Sequence, residues 1–184
     1  IYDAAEPMAA RGMGAIYEVT SQLAPLRRNL SSMERERLML TWYHSHHNRL
    51  EAAVSNAVEM YGRCLVIDCH SFPGTALPYE NADSVVERPH ICIGSDPYHT
   101  SRKLEQAFVE AFRCDGWRVA VNDPFAGALV PASRYRVDSR VAAVMVEINR
   151  ELYLDSKNFE PNSDFDRVAA AIKNYSINAL GQRS

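Results

Sequence analysis

The stretch from Arg63 to Gly74 constrains this chain most. It reads Arg-Cys-Leu-Val-Ile-Asp-Cys-His-Ser-Phe-Pro-Gly. An apolar, β-branched run leads into Asp68-Cys69-His70-Ser71, and Pro73 and Gly74 then break the chain. Such a pattern predicts a buried strand, about Cys64 to Asp68, that delivers polar side chains at its C-terminal end. In open α/β sheets the ligand crevice lies at that end. Asp68 and His70 are two apart, so on extended backbone they share a face. The residues fit a metal-binding or catalytic histidine with a carboxylate beside it. They also fit a strand ending in a polar turn, with Asp68 capping backbone amides.

The flanking sequence supplies helices for this strand to pack with. Ser31 and Glu34 fit a capping box, predicting a long helix from there to about Tyr61, stopped by Gly62. Tyr43, His47, Leu50, Val54, Val58 and Tyr61 step by three or four and form one apolar face. Residues 1–30, punctuated by Pro7, Gly12, Gly14 and Pro25, read as loop, and so do residues 72–89, with Pro73, Pro78, Asn81, Asp83 and Pro89. Further strands are expected at His90–Gly94, Trp117–Val121 and Val141–Ile148, with a short one beginning at Leu129-Val130. Helices are expected from about Thr100 to Cys114 and from Asp164 to Leu180, the latter with Phe165, Val168, Ile172 and Tyr175 on one side. Strands alternating with helices, several of them apolar on both faces, predict a three-layer αβα sandwich with a mixed, mainly parallel sheet.

At 184 residues the chain reads as one domain, residues 1–184. A net charge of -3 gives no general attraction to nucleic acid or anionic membrane. No apolar run approaches the roughly 20 residues that span a bilayer. Cys64, Cys69, Cys92 and Cys114 form no Cys-x-x-Cys pair and read as reduced, structural thiols of a cytoplasmic protein. Oligomeric state is not legible.

Glu147 is the second informative residue. It follows six apolar positions, Val141 to Val146, and precedes Ile148. A carboxylate there is costly without a partner or a metal, and burial raises its pKa toward the range useful for proton transfer. The alternative is a glutamate at the sheet rim, facing water. Strand ends offering His70 and Glu147 suggest metal-assisted hydrolysis, zinc being the natural ion. A catalytic zinc takes about three protein ligands, and no histidine here has a carboxylate three residues later. His44, His46 and His47 are candidates for further ligands, or simply helix histidines lining a pocket. Asn122 to Gly127 is a candidate substrate loop, where Gly127 would allow close backbone approach. Arg134, Arg136, Arg140 and Arg150 surround the last strand and suit a carboxylate substrate, or are ordinary surface charge.

Four landmarks in order resemble the N-formylglutamate amidohydrolase family. They are Asp68-Cys69-His70-Ser71, Ile91-Cys92-Ile93-Gly94, Asn122-Asp123-Pro124-Phe125-Ala126-Gly127, and Val146-Glu147-Ile148-Asn149-Arg150 through Asp155. The resemblance spans roughly residues 38–180, and His47 also fits a family position. It implies a fold similar to zinc carboxypeptidases and aspartoacylase-like deacylases. It also implies zinc-dependent hydrolysis of an amide on an acidic amino acid. By the same resemblance His70 is a zinc ligand, Glu147 the catalytic glutamate, and the Asn122–Gly127 loop borders the substrate. Arg150 is expected to meet a substrate carboxylate, and Asp68 and His47 to support the metal site rather than ligate.

The family's early Pro-His-Ser/Ala-Gly and Asp-Leu-Asn-Arg segments have no match here, and the chain opens at Ile1. We therefore expect the N-terminal part of the domain to be missing, the remaining metal ligands to lie outside the chain, and the chain alone to bind zinc weakly and act poorly. The readings left open are a zinc-dependent amidohydrolase taking a small N-acyl amino acid, a carboxypeptidase-like metallopeptidase, and a truncated domain that only binds a ligand.

Overall fold

Ser31 starts the first helix as its sequence dictates. Its hydroxyl accepts from the Glu34 amide at 3.3 Å, and the Glu34 carboxylate accepts from the Ser31 amide at 2.9 Å. The computed structural model describes residues 9–80 and 87–181, with 175–181 described by backbone alone. Pro7, Asn81, Asp83 and the side chain of Tyr175 lie outside the described residues. The expected long helix is present in three pieces. α1 spans Ser32–Leu38, a π-helical segment spans Met39–His44, and α2 spans Ser45–Tyr61. Val54 and Val58 of the predicted stripe are buried and Tyr43, His47 and Leu50 are half-buried, whereas Tyr61, expected on the same face but last in the helix, is 70% exposed.

The chain divides into two compact units, Ile1–Ala53 with Ala76–Val86, and Val54–Thr75 with Glu87–Ser184. In the first, Glu18 pairs with Arg35 at 2.9 Å, and Val19 bridges Pro25 in a small antiparallel turn. The Arg28 guanidinium, hydrogen-bonded to Glu34, holds that carboxyl well below its usual range, at about 2.

The second unit carries the sheet. Among the described residues four strands, β1 (Cys64–Phe72), β2 (Ile91–Gly94), β3 (Val119–Val121) and β4 (Val141–Asn149), lie in the order β1-β4-β2-β3. β1 runs parallel to β4 and β2 parallel to β3, while β2 and β4 are antiparallel. The expected α/β fold with a mixed, mainly parallel sheet is therefore the fold the chain adopts. Two-residue alternation sorts the sheet. Leu65, Ile67, Val144, Val146, Ile148, Ile91 and Ile93 share one face. They pack with Leu104, Phe108 and Phe112 of α3 (Arg102–Cys114) and Val168 of α4 (Phe165–Gly181) in one core cluster. The opposite face carries Asp68, His70 and Phe72 of β1, Glu147 and Asn149 of β4, and Cys92 of β2.

Where β2 ends, the Asp96–Thr100 turn seals the start of β4. The Thr100 hydroxyl donates to the Ala143 carbonyl at 2.6 Å and accepts from the Asp96 amide at 2.9 Å. His99, 2% exposed, meets the Val141 carbonyl with Nδ1 at 2.7 Å and accepts from the Arg136 amide with Nε2, also at 2.7 Å. This fixes its ring as the neutral form protonated on Nδ1.

Three expectations need correction. β1 does not stop near Asp68 but continues four residues beyond it, through His70 to Phe72. Leu129-Val130 forms no strand, since Pro131 follows with no amide to donate. Cys69 and Cys114, expected with the other two to be structural thiols, are exposed, while Cys92 is buried, and all four are free.

Candidate functional site

The β1–β4 pairing brings the two leading candidates together. His70 is the direct register partner of Glu147, so their side chains leave the same face side by side. Asp68, two residues back, closes onto the ring, with His70 Nε2 to Asp68 Oδ1 at 2.9 Å. That hydrogen bond raises the His70 pKa against the opposing effect of burial, and the Asp68 and Glu147 charges add to the rise. The His70 side chain is half exposed, Asp68 is 17% exposed, and Glu147 is 7% exposed.

Glu147 is flanked on its other side by Cys92, its register partner across β2. Burial raises its pKa, while the positive charges of His70, Arg150 and Arg88 pull the other way. Its Oε2 is buried and has no hydrogen-bond partner among the described residues. A buried acceptor left open costs about 1–3 kcal/mol and marks a place where a donor binds. Sequence position explains why the residue is there: β4 must be apolar to sit between β1 and β2, and the exception stands at its C-terminal end.

The other candidates are distributed as follows. Arg150 follows β4 directly, in a tight turn capped by Asn149, and its guanidinium reaches the end of β1. It donates from Nε to Ser71 Oγ at 3.1 Å and from an η nitrogen to the Ser71 carbonyl at 3.0 Å. Asn122, at φ 55°, forms a reciprocal pair with Ser95. Its Oδ1 accepts the Ser95 amide at 2.9 Å and its Nδ2 donates to Ser95 Oγ at 2.8 Å. Gly127, at φ 97°, has open space where a side chain would stand. The glycine that a close approach requires is Gly94, where a Cβ would come within 2.5 Å of the Gly127 carbonyl oxygen. His47 belongs to the first unit. Its ring packs on Tyr43 at 4.3 Å, and burial, then the neighbouring His46 and His44 charges, lower its pKa. Arg134 and Arg140 are paired with Asp138, and Arg136 with Asp96.

Sequence reasoning missed the wall beyond His70. Phe72, 1% exposed, and Phe125 stand with ring centroids 5.8 Å apart. The Arg88 guanidinium lies 5.1 and 5.6 Å from those two centroids. Cys92 Sγ donates to the Phe125 carbonyl at 3.2 Å. The available signal was Cys92 interrupting Ile91 and Ile93, which puts a polarizable group on the Glu147 face.

Zinc would need about three protein donors. Among the described residues no group of three His, Cys, Asp or Glu side chains is placed to hold a metal ion. His70 and the open Glu147 oxygen have suitable donor chemistry, but the described residues do not make a zinc site by themselves.

A family model described as N-formylglutamate amidohydrolase matches residues 2–154. The crystal structure of N-formylglutamate amidohydrolase from Ralstonia eutropha JMP134 has the same fold, with a TM-score of 0.81 at 24% identity, covering 94% of this chain and 62% of that one. A gene product of Agrobacterium tumefaciens aligns with a TM-score of 0.65 at 18% identity, over 96% of this chain and 64% of that one. The chain thus spans less than two thirds of the length of either structure. No curated protein sequence matches it.

Proposed function

Because the chain belongs to the N-formylglutamate amidohydrolase family, we propose that it carries part of the active site of an amidohydrolase that releases formate from an N-formyl acidic amino acid such as glutamate. The observation that supports this reading is Glu147, a buried carboxylate with one oxygen open, in register with a histidine that Asp68 orients. Glu147 acts as the general base. It takes a proton from the water that attacks the formyl carbon, and passes it to the amide nitrogen as the C–N bond breaks, leaving formate and the free amine. Its burial raises its pKa, the direction that proton transfer near neutral pH requires. Asp68 fixes the His70 ring. Arg150, held by Ser71 through two donors, turns the rest of its fork toward a substrate carboxylate. Asn122 and Gly127 shape the loop that borders the substrate.

We further propose zinc as the cofactor, with His70 as one ligand and the others not among the described residues. Zinc would polarise the amide carbonyl and acidify water. The test uses the full-length protein. Formate release from N-formyl-L-glutamate, with His70→Ala showing less bound zinc than wild type by elemental analysis, is the expected result. Release of a C-terminal amino acid from peptides in place of formate would overturn the substrate assignment, and unchanged zinc in His70→Ala would overturn the ligand assignment.

A further inference from the structure

Arg88 is 7% exposed although it carries a full charge. Burying a cation is expensive unless its faces and its donors are occupied. A planar cation can face two rings at once and still donate hydrogen bonds. Arg88 does both. It faces Phe72 and Phe125, and an η nitrogen donates to the Pro73 carbonyl at 2.9 Å.

These partners come from two separate segments. Phe72 ends β1 and Pro73 follows it, two and three residues after His70. Phe125 belongs to the loop after β3, whose carbonyl is bound by Cys92, the register neighbour of Glu147. We propose that Arg88 is a positioning residue, a clamp that holds the Asn122–Gly127 loop against the end of β1 and so keeps the site closed over Cys92 and Glu147.

Cys92 supplies a direct readout, because it is 0% exposed beneath Phe125 whereas Cys69 and Cys114 are open. In the full-length protein, Arg88→Met should open Cys92 by more than any change in the urea midpoint accounts for. Cys92 alkylation by iodoacetamide, followed site by site by mass spectrometry, should speed up about tenfold, with Cys69 and Cys114 unchanged as internal controls. Arg88→Lys keeps the charge but cannot face both rings, and it should also label faster than wild type; it decides the matter if the Met variant does not fold. Cys92 labelling at the wild-type rate in either folded variant overturns the clamp. So does acceleration matched by a fall in the urea midpoint, which would make Arg88 merely structural.

The kinetic consequence rests on the function proposed above: kcat for formate release should fall about tenfold in Arg88→Met, with KM within threefold. A wild-type protein that releases no formate would count against that function, and the labelling result would still judge the clamp.

Discussion

Gly94→Ala tests how tightly the loop after β3 is seated. The new Cβ would stand 2.4 Å from Met145 Cε, 2.5 Å from the Gly127 carbonyl oxygen and 3.0 Å from Met145 Cβ. The Met145 methyl can swing aside, since it ends a flexible chain. The carbonyl cannot, and moving it from 2.5 Å to ordinary contact at 3.4 Å requires about 0.9 Å of backbone displacement. Overpacking of this kind costs about 1–3 kcal/mol. Alanine returns roughly 0.4–1 kcal/mol by restricting the unfolded chain, so a net loss of about 1–2 kcal/mol is expected. The displaced loop carries Phe125, and a shift near 1 Å beside a reacting centre lowers turnover by about 100-fold. Urea unfolding gives the first quantity, and kcat/KM for formate release gives the second. A midpoint equal to or above wild type, with kcat/KM unchanged, would refute the claim that Gly94 is required for the loop to seat.

Two further predictions follow from local structure. Thr100→Val removes a donor to the Ala143 carbonyl and an acceptor for the Asp96 amide in a buried turn, and should lower stability by about 1–3 kcal/mol in urea; a loss under about 0.5 kcal/mol would contradict it. The Glu34 carboxyl should titrate near 2 by NMR, against about 4.3 in an unfolded chain. Because its folded pKa is depressed, its contribution to the α1 N-terminus is present above about 4.3 and fades as pH falls toward 2. A midpoint at 4 or above would show that the Arg28 and Ser31 contacts do not hold.

The parts of the fold that were legible were those decided by nearest neighbours. Ser31 and Glu34 close their capping box within four residues, and α3 buries Leu104, Phe108 and Phe112 through spacing alone. Glu147 stood out because it interrupts an apolar strand. What local pattern cannot encode is which strand lies beside which. The register that puts His70 against Glu147, and the antiparallel pairing that puts Cys92 on the other side, are set by packing across the whole sheet. β1 was read as ending at Asp68 because polar residues follow, yet pairing with β4 carries it through Phe72. The two loop-seating glycines differ in the same way. Gly127 has the left-handed backbone that marks a turn, whereas Gly94 is required by a carbonyl about thirty residues away in sequence. Arg88 carries no local signal, and only the meeting of Phe72 and Phe125 gives it a place.

The central claim is that Glu147 is the proton-transferring carboxylate of a deformylating site. The measurement that tests it most directly is kcat for formate release from N-formyl-L-glutamate by the full-length wild-type protein and by Glu147→Gln, with zinc content measured on the same samples. The amide keeps the size and removes the base, so kcat should drop by about 10²–10⁴-fold while bound zinc stays at the wild-type level. Turnover within a few-fold of wild type in a zinc-replete Glu147→Gln protein would contradict the account.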